Sequence, residues 1–168
     1  MKIDRNKIVL KRATVSDIET LIEYRIIFLY EIQGNSDIEK ELVLRKSLKQ
    51  YFTKSLKSNS FISWIAEYDN KPIGFSGMVI REQPGNFEIP LGMTGYILNM
   101  FILNEYRGNG IGTLLFQKLI DEAKQRNLDR LDLHSTQEGE PLYRRFGFIE
   151  PHEKVLEQVL KVPGHIVS

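Results

Sequence analysis

Residues 105–115 read EYRGNGIGTLL, and the fold turns on how that stretch is understood. Arg107 is followed by Gly108, Gly110 and Gly112, directly ahead of a run of helix-forming residues. A glycine costs roughly 1 kcal/mol relative to alanine inside a helix. Three so closely spaced need a backbone reason, such as a tight turn or the close approach of a ligand.

The flanks narrow the choice. Ahead lies YILNMFIL (96–103), an apolar run with almost no polar break, as expected of a strand buried on both faces. Behind lies TLLFQKLIDEAKQRN (113–127), an amphipathic helix with Leu114, Leu115, Leu119 and Ile120 inward. A plain strand-to-helix turn usually needs one glycine. A Rossmann dinucleotide loop wants G-x-G-x-x-G and an acid roughly 20 residues on. Asp132 stands at about that distance, but Thr113 occupies the third glycine's place and Gly112 falls one position early. A phosphate-loop NTPase would need a lysine after the last glycine, and Thr113 follows it.

Further out, LDRLDLHST (128–136) is a strand candidate, and GEPLYRRFGFIE (139–150) opens a helix with Pro141 and stops it at Gly147. The tail KVLEQVLKVP (154–163) has apolar spacing that suits a helix and a strand equally. Upstream, Ile8, Val9 and Leu10 suit a first strand. A helix follows, with Thr14 as N-cap, Asp17 three residues on, and Gly34 as its stop. A second helix spans 37–58, with Leu44, Leu48, Tyr51, Phe52 and Leu56 on one face. Residues 60–82 hold two β-rich runs joined at DNKP, a hairpin signal, and 83–95 form a glycine- and proline-rich loop. The order β, α, α, a β meander, β, α, β, α, β predicts an α/β protein with a mixed sheet and helices on both faces.

The whole chain sets outer bounds. Its 168 residues, 42% hydrophobic and 27% charged, suit one soluble domain over 1–168. A net charge of +1, with no basic stripe carrying aromatics, offers nucleic acid no footprint. No apolar run is long enough for a signal peptide or a membrane span, which leaves a cytoplasmic protein as the expectation. The absence of cysteine excludes disulfides and thiolate catalysis. His134, His152 and His165 are scattered without metal-ligand spacing, so no metal site is expected.

Read as R-x-x-G-x-G, the stretch Arg107-Gly108-Asn109-Gly110-Ile111-Gly112 resembles the pyrophosphate loop of the GNAT acyltransferase superfamily, [QR]-x-x-G-x-[GA] after a β-strand. PLYRRFGF (141–148) is similar to the family's L-Y-x-x-x-G-F segment, and the element order is similar over nearly the whole chain. The resemblance implies the GNAT fold, with a central mixed sheet of six to seven strands, and N-acetyl transfer from acetyl-CoA to a primary amine. It implies that Arg107 to Thr113 hold the pyrophosphate, since glycines let diphosphate oxygens approach the N–H groups of a helix N-terminus. The backbone of Met100, Phe101 and Ile102 would pair with the pantetheine arm.

The same resemblance makes Tyr143 the proton donor to the departing thiolate. Where the family often has an asparagine contacting CoA, this chain has Ser135, Thr136 and Gln137, with Thr136 the candidate replacement. Tyr96 occupies the position of a glutamate base found in several members. Asp132, close to the place of an acid on the next strand, is the candidate base through water, with no dedicated base as the alternative. A non-catalytic acyl-CoA sensor is the rival reading. The acceptor, a small molecule or a peptide amine, would be shaped by residues 14–58 and 81–95. Glu23, Glu31, Glu82 and Glu88 there suggest attraction of a cation. Dimers are common in the family.

Overall fold

The computed structural model describes residues 1–160, which divide into two compact units, Met1–Ser135 and a second beginning at Thr136. The first unit carries one five-stranded sheet, order β1-β2-β3-β4-β5. Its strands are β1 (Ile8–Arg12), β2 (Phe61–Tyr68), β3 (Lys71–Glu82), β4 (Met93–Ile102) and β5 (Arg130–Leu133). Helices α1 (Ile18–Gln33) and α2 (Ile38–Lys57) follow β1, and α3 (Ile111–Gln125) connects β4 to β5.

Local chemistry sets these boundaries. The Thr14 and Asp17 side chains form a reciprocal capping box around the single turn Val15–Asp17, which runs into α1. Gly34, at φ +79°, ends α1 by donating its N–H to the Tyr30 carbonyl. Asp37 caps α2 through the Lys40 N–H. Between β2 and β3, Asp69 and Asn70 both take positive φ, the backbone that a two-residue hairpin turn requires.

Side-chain alternation divides the core. Ile65, Phe75 and Phe101 pack with Leu21, Ile22 and Ile26 of α1 and Phe52 of α2. Their strand neighbour Ala66, with Ile73, packs with Ile111 and Leu115 of α3. Successive residues of a strand face opposite ways, so α1 and α2 cover one face of the sheet and α3 the other.

β1 to β4 pair antiparallel, and β4 pairs parallel with β5. Among the described residues the sheet has five strands, where six to seven were expected. The difference lies largely in the tail, where residues 154–160 form neither helix nor strand. Val155, Leu156, Val159 and Leu160 are each at least 67% exposed. No buried face selects a period for them, and a strand without a partner is not stable. Residues 161–163 of that segment lie outside the described residues.

In the second unit, α4 (Glu140–Arg145) has Pro141 in its first turn and is followed by Gly147 at φ +88°. Among the described residues, no helix is long and apolar enough to cross a membrane.

Candidate functional site

The site begins where β4 leaves β5. Their parallel pairing runs from Thr94↔Arg130 to Ile97↔Leu133 and stops, while β4 continues to Ile102. Residues 98–102 therefore have no strand partner on that side among the described residues. The same stretch is bulged. Phe75 pairs with Phe101 and Gly77 with Leu98, so Asn99 and Met100 together oppose Ser76. Asn99 supplies the bulge with a positive φ of 58°, a conformation asparagine tolerates better than most residues. The side chains of Met100 and Ile102 pack on the α3 side, and Phe101 is buried on the α1 side. What this stretch of β4 leaves available is backbone.

The loop after β4 turns through Asn104–Tyr106 and enters α3 at Gly110. Gly108 and Gly110 both take left-handed φ, +78° and +77°, which answers the demand for glycine at these two positions. Gly112 is already inside α3. The first helical hydrogen bond runs from the Leu114 N–H to the Gly110 carbonyl at 3.3 Å. Among the described residues, no hydrogen bond engages the N–H groups of residues 108–113. Unpaired donors and the positive end of the helix dipole thus coincide. Ile111 is buried against Leu115 and anchors the turn beneath them.

Two side chains of the loop are committed elsewhere. The Asn109 amide donates to the carbonyls of Met1 (2.9 Å) and Tyr106 (2.9 Å), and its oxygen accepts from the Ile3 N–H at 3.3 Å. Arg107 is ion-paired to Glu31 of α1, and its Nε donates to the Ile102 carbonyl at 3.0 Å. The cation against the glycines is Arg5. A Cβ on Gly110 would stand 3.1 Å from its guanidinium, and Arg5 has no ion pair among the described residues.

A polar cluster lies on the α1 face beside the opening. Asp132 stands opposite Tyr96 in register and is ion-paired with Arg81 at 3.3 Å. The Arg81 guanidinium lies 4.1 Å from the centre of the Tyr96 ring. The Tyr96 hydroxyl and His134 Nδ1 are 3.2 Å apart. From α1, partly buried Arg25 donates to the side-chain oxygen of Asn99, at the bulge itself. Of the acids expected to attract a cation, Glu23 is paired with Arg45 and Glu31 with Arg107, so both are neutralised. Glu82 and Glu88 have no ion pair among the described residues.

In the second unit, Tyr143 is 9% exposed, and burial pushes its hydroxyl above the ordinary tyrosine value. Gly139 makes room for it, since a Cβ there would stand 3.2 Å from the tyrosine ring. Thr136 is exposed, and its hydroxyl oxygen accepts from the Gly139 N–H at 3.2 Å, at the entrance to α4.

Arg5, Arg25, Arg81, Asn99 and His134 are the residues here that sequence reasoning did not single out for this site. An asparagine inside an otherwise apolar strand was the one visible signal among them. The others depend on contacts between distant segments. Among the described residues, no cluster of three or more His, Cys, Asp or Glu side chains could hold a metal ion.

Comparison with known proteins agrees with this geometry. The Acetyltransferase (GNAT) family profile matches residues 26–148. An uncharacterized N-acetyltransferase of Dictyostelium discoideum is 39% identical over 54 residues, 30% of this chain and 25% of the relative. N-alpha-acetyltransferase 30 of Schizosaccharomyces pombe is 33% identical over 108 residues, 61% of this chain and 65% of that protein. The chain thus spans a quarter and just under two thirds of the length of these two curated relatives. The crystal structure of a predicted acetyltransferase from Clostridium acetobutylicum, solved with acetyl-CoA, superimposes with a TM-score of 0.81 at 30% identity, covering 90% of this chain and 96% of that one. A family profile matched across most of the sequence, a shared fold and a glycine loop with unpaired N–H groups lead to one conclusion: this chain belongs to the GNAT acetyltransferase family.

Proposed function

We propose that the protein transfers the acetyl group of acetyl-CoA to a primary amine by direct attack in a ternary complex. The observation that carries this reading is the continuity of two sets of backbone groups. The side of β4 left without a strand partner from Leu98 to Ile102 leads into the N–H groups of residues 108–113 at the start of α3. An extended pantetheine arm suits the first, as an added strand would, and a diphosphate suits the second. Arg5, beside Gly110, adds a cation to the phosphate end. Arg107 supports the turn through Ile102 and Glu31. Thr136 is a further candidate contact to CoA.

The amine nitrogen attacks the thioester carbonyl, forming the C–N bond and a tetrahedral intermediate whose collapse breaks the C–S bond. With no cysteine in the chain, a cysteinyl acyl-enzyme does not arise. Tyr143 is the proposed donor of a proton to the departing thiolate. Free thiols titrate near 8.5 and tyrosine near 10. Burial raises Tyr143 further, so its hydroxyl holds its proton throughout the neutral range.

Before attack, the ammonium must lose a proton. Asp132 acting through water is the proposed acceptor, although its carboxylate is shared with Arg81. His134, hydrogen-bonded to Tyr96 at the same opening, is the alternative.

The test is a thermal shift with acetyl-CoA, followed by release of free CoA thiol with a panel of amines. At a concentration 100 times Kd, ligand linkage adds about 2.7 kcal/mol of stability. No shift at millimolar acetyl-CoA refutes the reading. A shift without thiol release identifies a binding module instead.

A further inference from the structure

We infer that Arg25 is the acceptor's recognition residue and that the acceptor carries a carboxylate close to its reacting amine. The inference rests on the acetyl-transfer reading above and names the substrate class for that same opening.

Arg25 projects from α1 onto the bulge of β4, where its Nη1 donates to the buried side chain of Asn99. Its guanidinium also lies 5.8 Å from the centre of the Phe28 ring. A guanidinium carries five N–H donors in a planar fork, and one bond to an amide oxygen leaves most of them unused. No carboxylate forms an ion pair with Arg25 among the described residues. Arg107 has Glu31, Arg45 has Glu23 and Glu41, and Arg81 has Asp132. Among the described residues, Arg25 is the partly buried arginine of this face that lacks an anion.

That position is costly without a partner. Burial pushes the guanidinium below its ordinary value, which records the loss of water around a charge. A cation removed from water is retained where an anion or hydrogen-bond acceptors compensate it. Asn99 compensates in part. The bulge that presents Asn99 lies within the stretch of β4, Leu98 to Ile102, whose opposite edge β5 leaves without a strand partner among the described residues, the edge proposed for the thioester end of the co-substrate. An anion reaching Arg25 would therefore lie beside the reacting carbonyl, and a planar carboxylate matches the planar fork with two parallel hydrogen bonds. Asp132 is paired with Arg81, and Tyr96, which interacts electrostatically with Arg25, also shares a hydrogen bond with His134, so no carboxylate of this face is paired with Arg25 among the described residues.

The resulting substrate class is a small amino acid or an amino-acid-like amine. The test compares acetylation of free α-amino acids with that of their own carboxamides, using the full chain and acetyl-CoA. Charge-assisted hydrogen bonds of this kind correspond to a preference of about 10- to 100-fold in kcat/KM for the acid over its amide. The amide's lower amine basicity biases the comparison against this result. Arg25→Gln is expected to bring the ratio towards one, mostly through a higher KM for the acid.

Equal or faster acetylation of the amides by the unmodified protein would overturn the inference, and so would a preference for acids that survives Arg25→Gln. Binding of acetyl-CoA with acetylation of neither series would overturn it as well. The acid-to-amide comparison in the unmodified protein holds even if the variant fails to fold. Thermal shift by acetyl-CoA in the same preparation separates the two readings, because its absence removes the acetyl-transfer reading itself.

Discussion

The Arg107 guanidinium binds Glu31 of α1 and the carbonyl of Ile102, so the arginine of the glycine loop ties the end of β4 to a helix on the α1 face. Backbone N–H groups and Arg5 are left to face the space proposed for the phosphates. Arg107→Ala should then weaken acetyl-CoA binding by less than about 10-fold, and it should cost at most about 1 kcal/mol of stability, the range for partly exposed ion pairs. Arg5→Ala should weaken binding too, and should flatten its dependence on salt. Calorimetric titration at two ionic strengths checks both. Abolished binding in Arg107→Ala would return the phosphate-binding role to that side chain.

Gly108 and Gly110 share a left-handed backbone but differ in surroundings. A Cβ on Gly108 meets nothing within 4 Å, whereas one on Gly110 meets the Arg5 guanidinium at 3.1 Å. Gly108→Ala should cost about 1 kcal/mol from backbone strain alone, and Gly108→Asn distinctly less. Valine at both Gly110 and Gly112 should abolish the stabilisation by acetyl-CoA. Denaturant titration with and without the co-substrate reads all three.

Tyr143→Phe should preserve folding and acetyl-CoA affinity and lower turnover by about 10²-fold or more, as for loss of a general acid. The sign of its pKa shift adds a second expectation. A raised value keeps the donor protonated, so turnover should not fall on Tyr143's account until the pH exceeds about 10. A rate–pH profile measured where chemistry is limiting settles the point. An unchanged turnover number would reduce Tyr143 to packing beside Phe148.

An ammonium resembling that of lysine, near 10.4, supplies well under about 1% free amine at pH 7. Asp132→Asn should therefore lower kcat/KM near neutrality and recover partly at high pH, where free amine is abundant. If Asp132→Asn is silent and His134→Gln shows that pattern, the imidazole takes the proton. A pH-independent loss in Asp132→Asn would point to the broken ion pair with Arg81.

Much of the fold was legible because its signals are local. The Thr14–Asp17 cap, the Gly34 stop, the Asp69–Asn70 turn and the glycine loop each depend on residues within a few positions of one another. What escaped depends on register or on distance along the chain. The bulge at Asn99 exists because two β4 residues oppose one on β3, a count that no single strand contains. Arg25 meets Asn99, and Arg107 meets Glu31, only once α1 lies across the sheet. The tail, whose spacing suits a helix and a strand equally, forms neither over residues 154–160. Spacing alone selects neither period, because a strand requires a paired neighbour and an amphipathic helix a buried face, and residues 154–160 have neither among the described residues.

The early end of β5 has a practical consequence for handling the protein. From Leu98 to Ile102, β4 offers peptide groups that no strand among the described residues covers. An uncovered apolar strand edge is also a template for pairing with a second chain. A co-substrate bound along this edge, as proposed, would shield it. Purification and storage with acetyl-CoA or CoA present should therefore yield more monodisperse protein than the same steps without it.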